Sequence, residues 1–171
     1  MKTKSVIVLP YDRKWKDAFI KIKEELDQKI GNDIISIEHV GSTSVEGLAA
    51  KPIIDIDIVI EISIFDQIKT KLESIGYKHE GDLGISGREA FKYENKEHLM
   101  RHHLYVCDKE NEELYKHIVF RNWLKENPDD RDMYSKVKLE MATKYPTDID
   151  AYIDGKSPCI RNIYKRCGLI T

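Results

Sequence analysis

The spacing of apolar residues predicts one helix and two strands at the start of the chain. The predicted helix carries an apolar residue at every third or fourth position, which is the spacing of one helix face. Asp12 can cap this helix at its start and Gly31 can end it. Residues 34–40 then read as a strand, and Pro52 opens a second strand in which isoleucines and aspartates alternate. The apolar face of the helix consists of Trp15, Phe19, Ile22, Leu26 and Ile30.

The middle of the chain predicts further β structure, and the last third predicts helices. Ser63 and Asp66 resemble a capping box at the start of a second helix. A hairpin is expected between residues 90–94 and 100–107. From residue 110 onward the periodicity becomes helical, with breaks at prolines. The whole pattern predicts an α+β fold, in which helices flank a mixed β-sheet and a helical C-terminal part follows.

The length and composition favour one globular domain. A chain of 171 residues can bury a substantial core, and its 41% hydrophobic and 34% charged residues are typical of folded proteins. We therefore expect a single domain over residues 1–171, with an αβ core in residues 1–108 and a helical part in residues 109–171.

The charge and cysteine content narrow the classes of partner and compartment. The 28 basic and 30 acidic residues give a net charge of −2, which does not favour a nucleic-acid partner. Three scattered cysteines indicate reduced thiols in the cytoplasm. The apolar run at residues 6–9 is too short for a signal peptide, and no segment approaches the length of a membrane span. We expect a cytoplasmic protein without a membrane partner, and the sequence does not indicate an oligomeric state.

Two aspartates interrupt the second strand in a regular way. Side chains alternate between the two faces of a strand, so Asp55 and Asp57 share one face while the isoleucines at 54, 56, 58 and 60 share the other. The two carboxylates are then roughly 7 Å apart along the strand. Such oxygen ligands select Mg²⁺ or Mn²⁺. The alternative interpretation is a solvent-facing strand side with two incidental acids.

A loop rich in small residues lies between the two strands and offers groups that suit phosphate. Gly41 allows close approach of the backbone, and the hydroxyls of Ser42, Thr43 and Ser44 are possible donors. Lys51 is either a phosphate ligand or an ordinary loop lysine. The loop is not a Walker-type P-loop, because that motif requires Lys and Ser or Thr directly after its second glycine.

These residues resemble a known signature. Gly41-Ser42, followed after twelve residues by Asp55-Ile-Asp57, resembles the signature of the DNA polymerase beta-like nucleotidyltransferase superfamily. The longer stretch at residues 39–56, H-V-G-S-T-S-V-E-G-L-A-A-K-P-I-I-D-I, resembles more closely the hallmark of the GrpB family (UPF0157), a branch of that superfamily. Shorter matching motifs extend over most of the chain. One departure is Glu46, where relatives often carry proline.

The resemblance implies a nucleotidyltransferase-like fold and a Mg²⁺-dependent transfer of a nucleotidyl group. The donor would be a nucleoside triphosphate, and the acceptor an unidentified small molecule or protein. Ser42 would face the triphosphate, and Asp55 and Asp57 would hold the metal. Active relatives usually add a third carboxylate from a later strand, whereas R-H-H-L-Y-V contains no acid. Either His103 or Glu94 is expected to take that position.

Two other function classes follow from the same residues. A protein that keeps the loop but lacks a full metal set would be a catalytically inactive nucleotide- or cofactor-binding module. A polymerase acting on nucleic acid is disfavoured by the net charge. A zinc site at His102 and His103 is disfavoured because adjacent strand residues point to opposite faces.

Several basic residues are candidates for lining a triphosphate channel, although each is otherwise an exposed charge. Arg121 stands out because it lies among apolar residues in a predicted helix, where a guanidinium requires a partner. The candidates are Arg88, Lys92, Arg121, Lys138 and Lys156.

Overall fold

The predicted α+β fold is confirmed in a computed structural model, which describes residues 5–171. Two short 3-10 turns, at Ser42–Ser44 and Ile62–Ile64, connect longer elements. In chain order these elements are α1 (Lys14–Ile30), β1 (Ser36–Val40), β2 (Ile54–Ile60), α2 (Phe65–Glu73), β3 (Tyr77–Gly81), β4 (Arg88–Tyr93), β5 (His102–Asp108), α3 (Glu112–Glu126), α4 (Pro128–Lys144) and α5 (Ile149–Arg166).

The chain divides into two compact units. The sheet unit consists of Lys14–Val40 and Ile53–Tyr115. The helical unit consists of the residues up to Arg13, the loop Gly41–Pro52, and Lys116–Thr171. In this division the loop between β1 and β2 groups with the C-terminal helices. The expected domain organisation stays a prediction.

In the described part of the sheet unit, five strands form one mixed sheet in the order β1-β2-β5-β4-β3. β2 and β5 run parallel, and every other neighbouring pair is antiparallel. The predicted hairpin is confirmed as β4 and β5, in which Phe91 pairs with Leu104. Its turn contains Asn95 with a positive φ of 59°, a conformation that asparagine tolerates better than most residues.

The isoleucine face of β2 forms the core of the sheet unit, as its alternation predicts. Helices α1 and α2 cover this face, and the Phe65 ring of α2 lies against the rings of His79 and Phe91. Each fully buried aliphatic side chain stabilises the fold by about 1.5–3 kcal/mol. The side chains with 0% exposure include Ile22, Leu26, Ile30, Ile54, Ile56, Ile58, Ile60, Ile68 and Leu72.

The predicted capping box at Ser63 and Asp66 is wrong. Helix α2 begins at Phe65, and its N-cap is Ile64, which makes no side-chain capping hydrogen bond. Ser63 instead lies within the 3-10 turn, where the Ile64 amide donates to the Glu61 carbonyl. The Phe65 amide likewise donates to the Ile62 carbonyl, so the turn leads directly into the helix.

The helical unit has a core of its own, built from the loop Gly41–Pro52 and the three C-terminal helices. α4 and α5 pack closely at Gly155, where a Cβ atom would overlap the sulfur of Met141. Asp148 caps α5 by accepting a hydrogen bond from the Ala151 amide at 3.0 Å. The buried cluster consists of Val45, Leu48, Leu124, Tyr134, Cys159 and Ile163.

No helix among residues 5–171 is both long enough and apolar enough to cross a membrane. The compartment stays a prediction.

Asp130 connects the three helices of the helical unit. Its carboxylate accepts hydrogen bonds from Trp123 Nε1 at 2.7 Å, and from Arg166 Nε and Nη2 at 3.0 and 2.6 Å. The bond from Arg166 holds the pKa of Asp130 below its usual value, although partial burial acts in the opposite direction. The ionised carboxylate therefore stabilises the folded helices.

We expect Asp130→Asn to lower the free energy of unfolding at pH 7 by about 1–3 kcal/mol, because two charge-assisted hydrogen bonds are weakened. The folded pKa lies below the unfolded value of about 3.8, so the contribution is present above pH 4 and is lost as the pH falls below it. Urea unfolding at pH 7 and pH 3 should therefore show a smaller difference between variant and wild type at pH 3. Asp132→Asn, at an exposed carboxylate, is the control. An equal loss at both pH values would contradict this account.

Candidate functional site

The sheet face opposite the isoleucines carries the two predicted carboxylates. Asp55 pairs across the parallel ladder with His103 of β5. Asp57 pairs with Tyr105 of β5 and, on its other side, with Glu38 of β1. Residues directly opposite each other in a sheet point to the same face. The register therefore gathers three carboxyl groups, one imidazole and one phenol on a single face.

The two aspartates differ in environment. The Asp55 side chain is 35% exposed, and its Oδ1 lies 2.9 Å from Nδ1 of His103. Asp57 is fully buried. Asp55 and His103 are thus a hydrogen-bonded pair that solvent reaches, whereas Asp57 lies in an enclosed, low-dielectric position.

The structure distinguishes the two expected sources of a third group. His103 lies beside Asp55 on the carboxylate face. Glu94 is exposed in the bend after β4, and β5 separates β4 from β2. Sequence reasoning missed Glu38. The alternation of β1 predicts that Glu38 and Ile37 point to opposite faces of the sheet. Which residue of β2 lies next to Glu38 depends on the strand register, which the sequence does not specify.

The donors on this face fit a Mg²⁺ or Mn²⁺ ion that shares its coordination with a ligand. Mg²⁺ is commonly held by one or two carboxylates together with water and substrate phosphates. Asp55 and Asp57 provide two such carboxylates on one strand face. Among residues 5–171, no group of three or more His, Cys, Asp or Glu side chains is close enough to hold an ion alone. A metal ion at this face would therefore need further ligands besides these carboxylates.

In the described part of the chain, the other side chains on this sheet face include none that is activated as a nucleophile. The Arg88 guanidinium lies 4.0 Å from the centroid of the Tyr105 ring, and burial raises the pKa of Tyr105. Burial also raises the pKa of the Cys107 thiol to about 12, with a further contribution from the charge of Asp57. Cys107 is therefore protonated at neutral pH and is not a nucleophile. Lys92, also predicted from the sequence, is exposed on β4.

In the helical unit, the loop after β1 presents one hydroxyl of the three that the sequence proposed. Gly41 has φ 73° and ψ −177°, a combination that is accessible essentially only to glycine. Thr43 is buried, and the Ser44 hydroxyl donates to the Gly41 carbonyl within the turn. The Ser42 hydroxyl is partly buried and contacts a side chain of α4.

Ser42 meets a buried lysine from α4. Nζ of Lys138 donates to Oγ of Ser42 at 2.6 Å, and the lysine is only 3% exposed. The same ammonium lies 5.0 Å from the centroid of the Tyr134 ring. Burial raises the pKa of Tyr134, whereas its hydrogen bond with Ser42 acts in the opposite direction. Ser42 thus joins a fixed positive charge and a neutral phenol.

A pocket in the helical unit opens beside the same serine. Gly41 and Ser42 form part of its wall together with Arg121 and His117 of α3. Arg121 Nε donates to Oδ1 of the adjacent Asn122 at 3.1 Å. The predicted residues Gly41, Ser42 and Arg121 therefore line one pocket, and Lys138 reaches it through Ser42. Lys51, the remaining candidate of the loop, lies over the ring of Tyr152.

Comparison with known proteins identifies the family. The family model described as "GrpB protein" matches residues 5–166. The chain belongs to the GrpB family. This confirms the resemblance stated from the sequence.

Two relatives show how much of the chain the family similarity covers. The glutamate-rich protein GrpB of Alkalihalophilus pseudofirmus is 35% identical over 163 residues, which are 92% of this chain and 93% of that protein. The UPF0157 protein YqkA of Bacillus subtilis is 33% identical over 159 residues, or 92% of this chain. This chain spans only 46% of the length of YqkA.

Two solved structures support the fold. The crystal structure of GrpB from Enterococcus faecalis has a TM-score of 0.80 and 34% identity, and the match covers 94% of this chain and 96% of that one. Cid1 in complex with its short product ApU has a TM-score of 0.52 and 12% identity, and covers 76% of this chain and 40% of that chain. The GrpB fold of this chain is thus nucleotidyltransferase-like.

We expect Ser42→Ala to lower the free energy of unfolding by about 1–3 kcal/mol, because the buried Lys138 ammonium loses a hydrogen-bond acceptor. Thermal and urea unfolding measure this loss. Ser44→Ala, in the same turn, removes a hydroxyl whose bond to the Gly41 carbonyl is exposed, and should cost less. Equal losses in the two variants would show that Ser42 does not stabilise the buried lysine.

Proposed function

We propose that this GrpB protein is a metal-dependent nucleotidyltransferase, which moves a nucleotidyl group from a nucleoside triphosphate to a small-molecule or protein acceptor. The observation that carries the proposal is the pairing of Asp55 and Asp57 with His103 and Tyr105 on one sheet face, within a nucleotidyltransferase-like fold. Transfer of this kind requires chiefly positioning and charge stabilisation, and the proposed residues supply both.

The carboxylates are the proposed metal ligands. Asp55 and Asp57 would hold Mg²⁺ or Mn²⁺, which when bound neutralises the charge of the phosphates. The burial of Asp57 strengthens its attraction for a cation, since electrostatic interactions grow as the local dielectric constant falls. Glu38, opposite Asp57, adds a further carboxyl group to the same face.

The loop and the helices of the helical unit supply the proposed phosphate contacts. Lys138 brings a buried positive charge to the Ser42 hydroxyl, and Arg121 lines the adjoining pocket with Gly41. A planar guanidinium and an ammonium are the usual side-chain partners of phosphate oxygens. Gly41 leaves space for the approach of the phosphate to the backbone.

His103 is the proposed general base for the acceptor. Its Nδ1 is engaged by Asp55 Oδ1, so that Nε2 is the nitrogen that can take a proton from an acceptor hydroxyl. The carboxylate fixes the ring and stabilises the imidazolium that forms. This role needs no third carboxylate beside Asp55, where β5 carries His103 instead.

A second candidate function follows from the small metal set. Because no three-ligand group exists among residues 5–171, the protein would bind a nucleotide or another cofactor without transferring any part of it. In that case metal would contribute little to binding.

Titration with Mn²⁺ and a panel of nucleoside triphosphates separates the two functions. We expect Mn²⁺ to tighten nucleotide binding to the wild type, and Asp55→Asn or Asp57→Asn to remove that enhancement by about tenfold or more, which corresponds to 1.4 kcal/mol. Isothermal calorimetry and Mn²⁺ electron paramagnetic resonance measure binding without relying on turnover.

Two further variants test the third group. His103→Asn should abolish transfer and leave nucleotide binding largely intact, because the base acts on the acceptor. Glu94→Gln is the matched control, and should change neither quantity, since Glu94 lies beyond β4. Nucleotide binding that is insensitive to Mn²⁺ and to both aspartate substitutions would favour the inactive binding module.

A further inference from the structure

A second group of cationic side chains in the helical unit surrounds a buried tyrosine. Tyr152 of α5 is fully buried, which raises its pKa to about 12. Nζ of Lys51 lies 5.3 Å from the centroid of its ring, and Nζ of Lys156 lies 4.8 Å from it. Lys51 comes from the loop Gly41–Pro52 and Lys156 from α5. Two ammonium groups from separate segments thus converge on one aromatic ring.

The two positive charges disfavour each other. Burial lowers the pKa of Lys156 to about 8, and the charge of Lys51 contributes to the lowering. Within the described chain no carboxylate pairs with Lys156, whose contacts are this ring and the neighbouring charge. A cation over a ring gains only about 0.5–2 kcal/mol. An anion between the lysines would relieve both the repulsion and the cost of burial.

The hydroxyl of Tyr152 is a second indication of an anionic ligand. It is buried and has no hydrogen-bond partner among residues 5–171. A buried hydroxyl without a partner costs about 1–3 kcal/mol, and such groups commonly mark the place of a water or a ligand. An oxyanion has several acceptor oxygens, so one oxygen can accept from the phenol while the others face the ammonium groups.

The geometry points to a phosphate-binding site formed by Lys51, Lys156 and Tyr152, which takes a phosphate or pyrophosphate group without a metal ion. This set shares no residue with the pair of Lys138 and Ser42. The site does not rest on the proposed transfer reaction. Its phosphate can belong to a nucleotide or to a second, phosphorylated substrate, and competition between the two distinguishes these sources.

The test is a calorimetric titration of inorganic pyrophosphate into the full-length protein in the presence of EDTA. We expect binding by the wild type, and binding that is about tenfold weaker in Lys156→Met and in Lys51→Met, because each loses one of two charges and keeps an apolar stem. Lys156→Arg should retain most of the affinity. Lys144→Met is the matched control, since Lys144 also lies over a tyrosine ring, that of Tyr145, but on the exposed end of α4.

Tyr152→Phe tests the hydroxyl separately. It should weaken pyrophosphate binding and leave the stability of the ligand-free protein unchanged or raised, because it removes a buried hydroxyl without a partner. Thermal unfolding of each variant verifies that it is folded. An absence of pyrophosphate binding by the wild type, or equal affinity in Lys156→Met and Lys144→Met, overturns the proposal.

Two further experiments are needed. One distinguishes a nucleotide from a second substrate as the source of the phosphate, and the other distinguishes failure of the phosphate site from failure of the transferase proposal. A nucleoside triphosphate that displaces pyrophosphate assigns the site to the nucleotide, whereas independent binding of both assigns it to a second substrate. Asp55→Asn should bind pyrophosphate in EDTA as the wild type does. If Asp55→Asn loses only its Mn²⁺-enhanced nucleotide binding while Lys156→Met keeps pyrophosphate, the phosphate site is wrong and the transferase proposal stands. If Lys156→Met loses pyrophosphate binding while Asp55→Asn keeps its Mn²⁺-enhanced nucleotide binding, the transferase proposal is wrong and the phosphate site stands.

Discussion

The register of β2 between β1 and β5 is the constraint on which the carboxylate face depends. Side chains alternate along a strand, so a slip of one residue would turn the four isoleucines away from α1 and α2 and bury both aspartates against hydrocarbon. Because each fully buried isoleucine contributes about 1.5–3 kcal/mol, the correct register is strongly favoured. The residues that stabilise the core thereby also fix Asp55 beside His103 and Asp57 beside Glu38.

The helical unit follows a different rule, in which lysine ammonium groups lie against buried tyrosine rings. Lys138 lies over Tyr134, and Lys51 and Lys156 lie over Tyr152. Lys138 donates a hydrogen bond to Ser42 Oγ within the unit. Lys156 has a repulsive neighbour and a lowered pKa. A lysine kept in so unfavourable a position is better explained by a ligand than by packing, since a neutral side chain would cost less to bury.

Much of the fold could be predicted from the sequence because its elements are strongly periodic. The apolar residues at helical spacing from Trp15 to Ile30 predicted α1. The alternation of isoleucine and aspartate after Pro52 predicted β2 and its two faces. The capping box failed because Ile62–Ile64 form a 3-10 turn and helix α2 begins only at Phe65, and a short motif does not distinguish the two arrangements. Ser42 and Lys138 were both named from the sequence, but the bond between them joins positions 96 residues apart.

Two features could not be predicted, for the same physical reason. The neighbours of Glu38 depend on the pairing of β1 with β2, and those of Lys156 on how α5 meets the loop Gly41–Pro52. Local periodicity sets which face a side chain occupies, while long-range packing sets what it faces there. In the sequence, Lys156 was therefore one of five similar basic candidates. The structure distinguishes it, because Lys156 and Lys51 lie over the same ring, that of Tyr152.

The charge on the carboxylate face bears on how many metal ions the proposed reaction would use. A site with three clustered carboxylates can balance two divalent cations, with the remainder coming from the triphosphate. On β5 this chain has His103, which is neutral when it acts as a base, so Asp55 and Asp57 contribute two negative charges between them. Two charges match one divalent cation. Glu38, on the neighbouring strand β1, would add a third negative charge. It pairs with the buried Asp57 and not with the accessible Asp55. We therefore propose that the reaction would use a single ion, shared with phosphate oxygens, with His103 as the base.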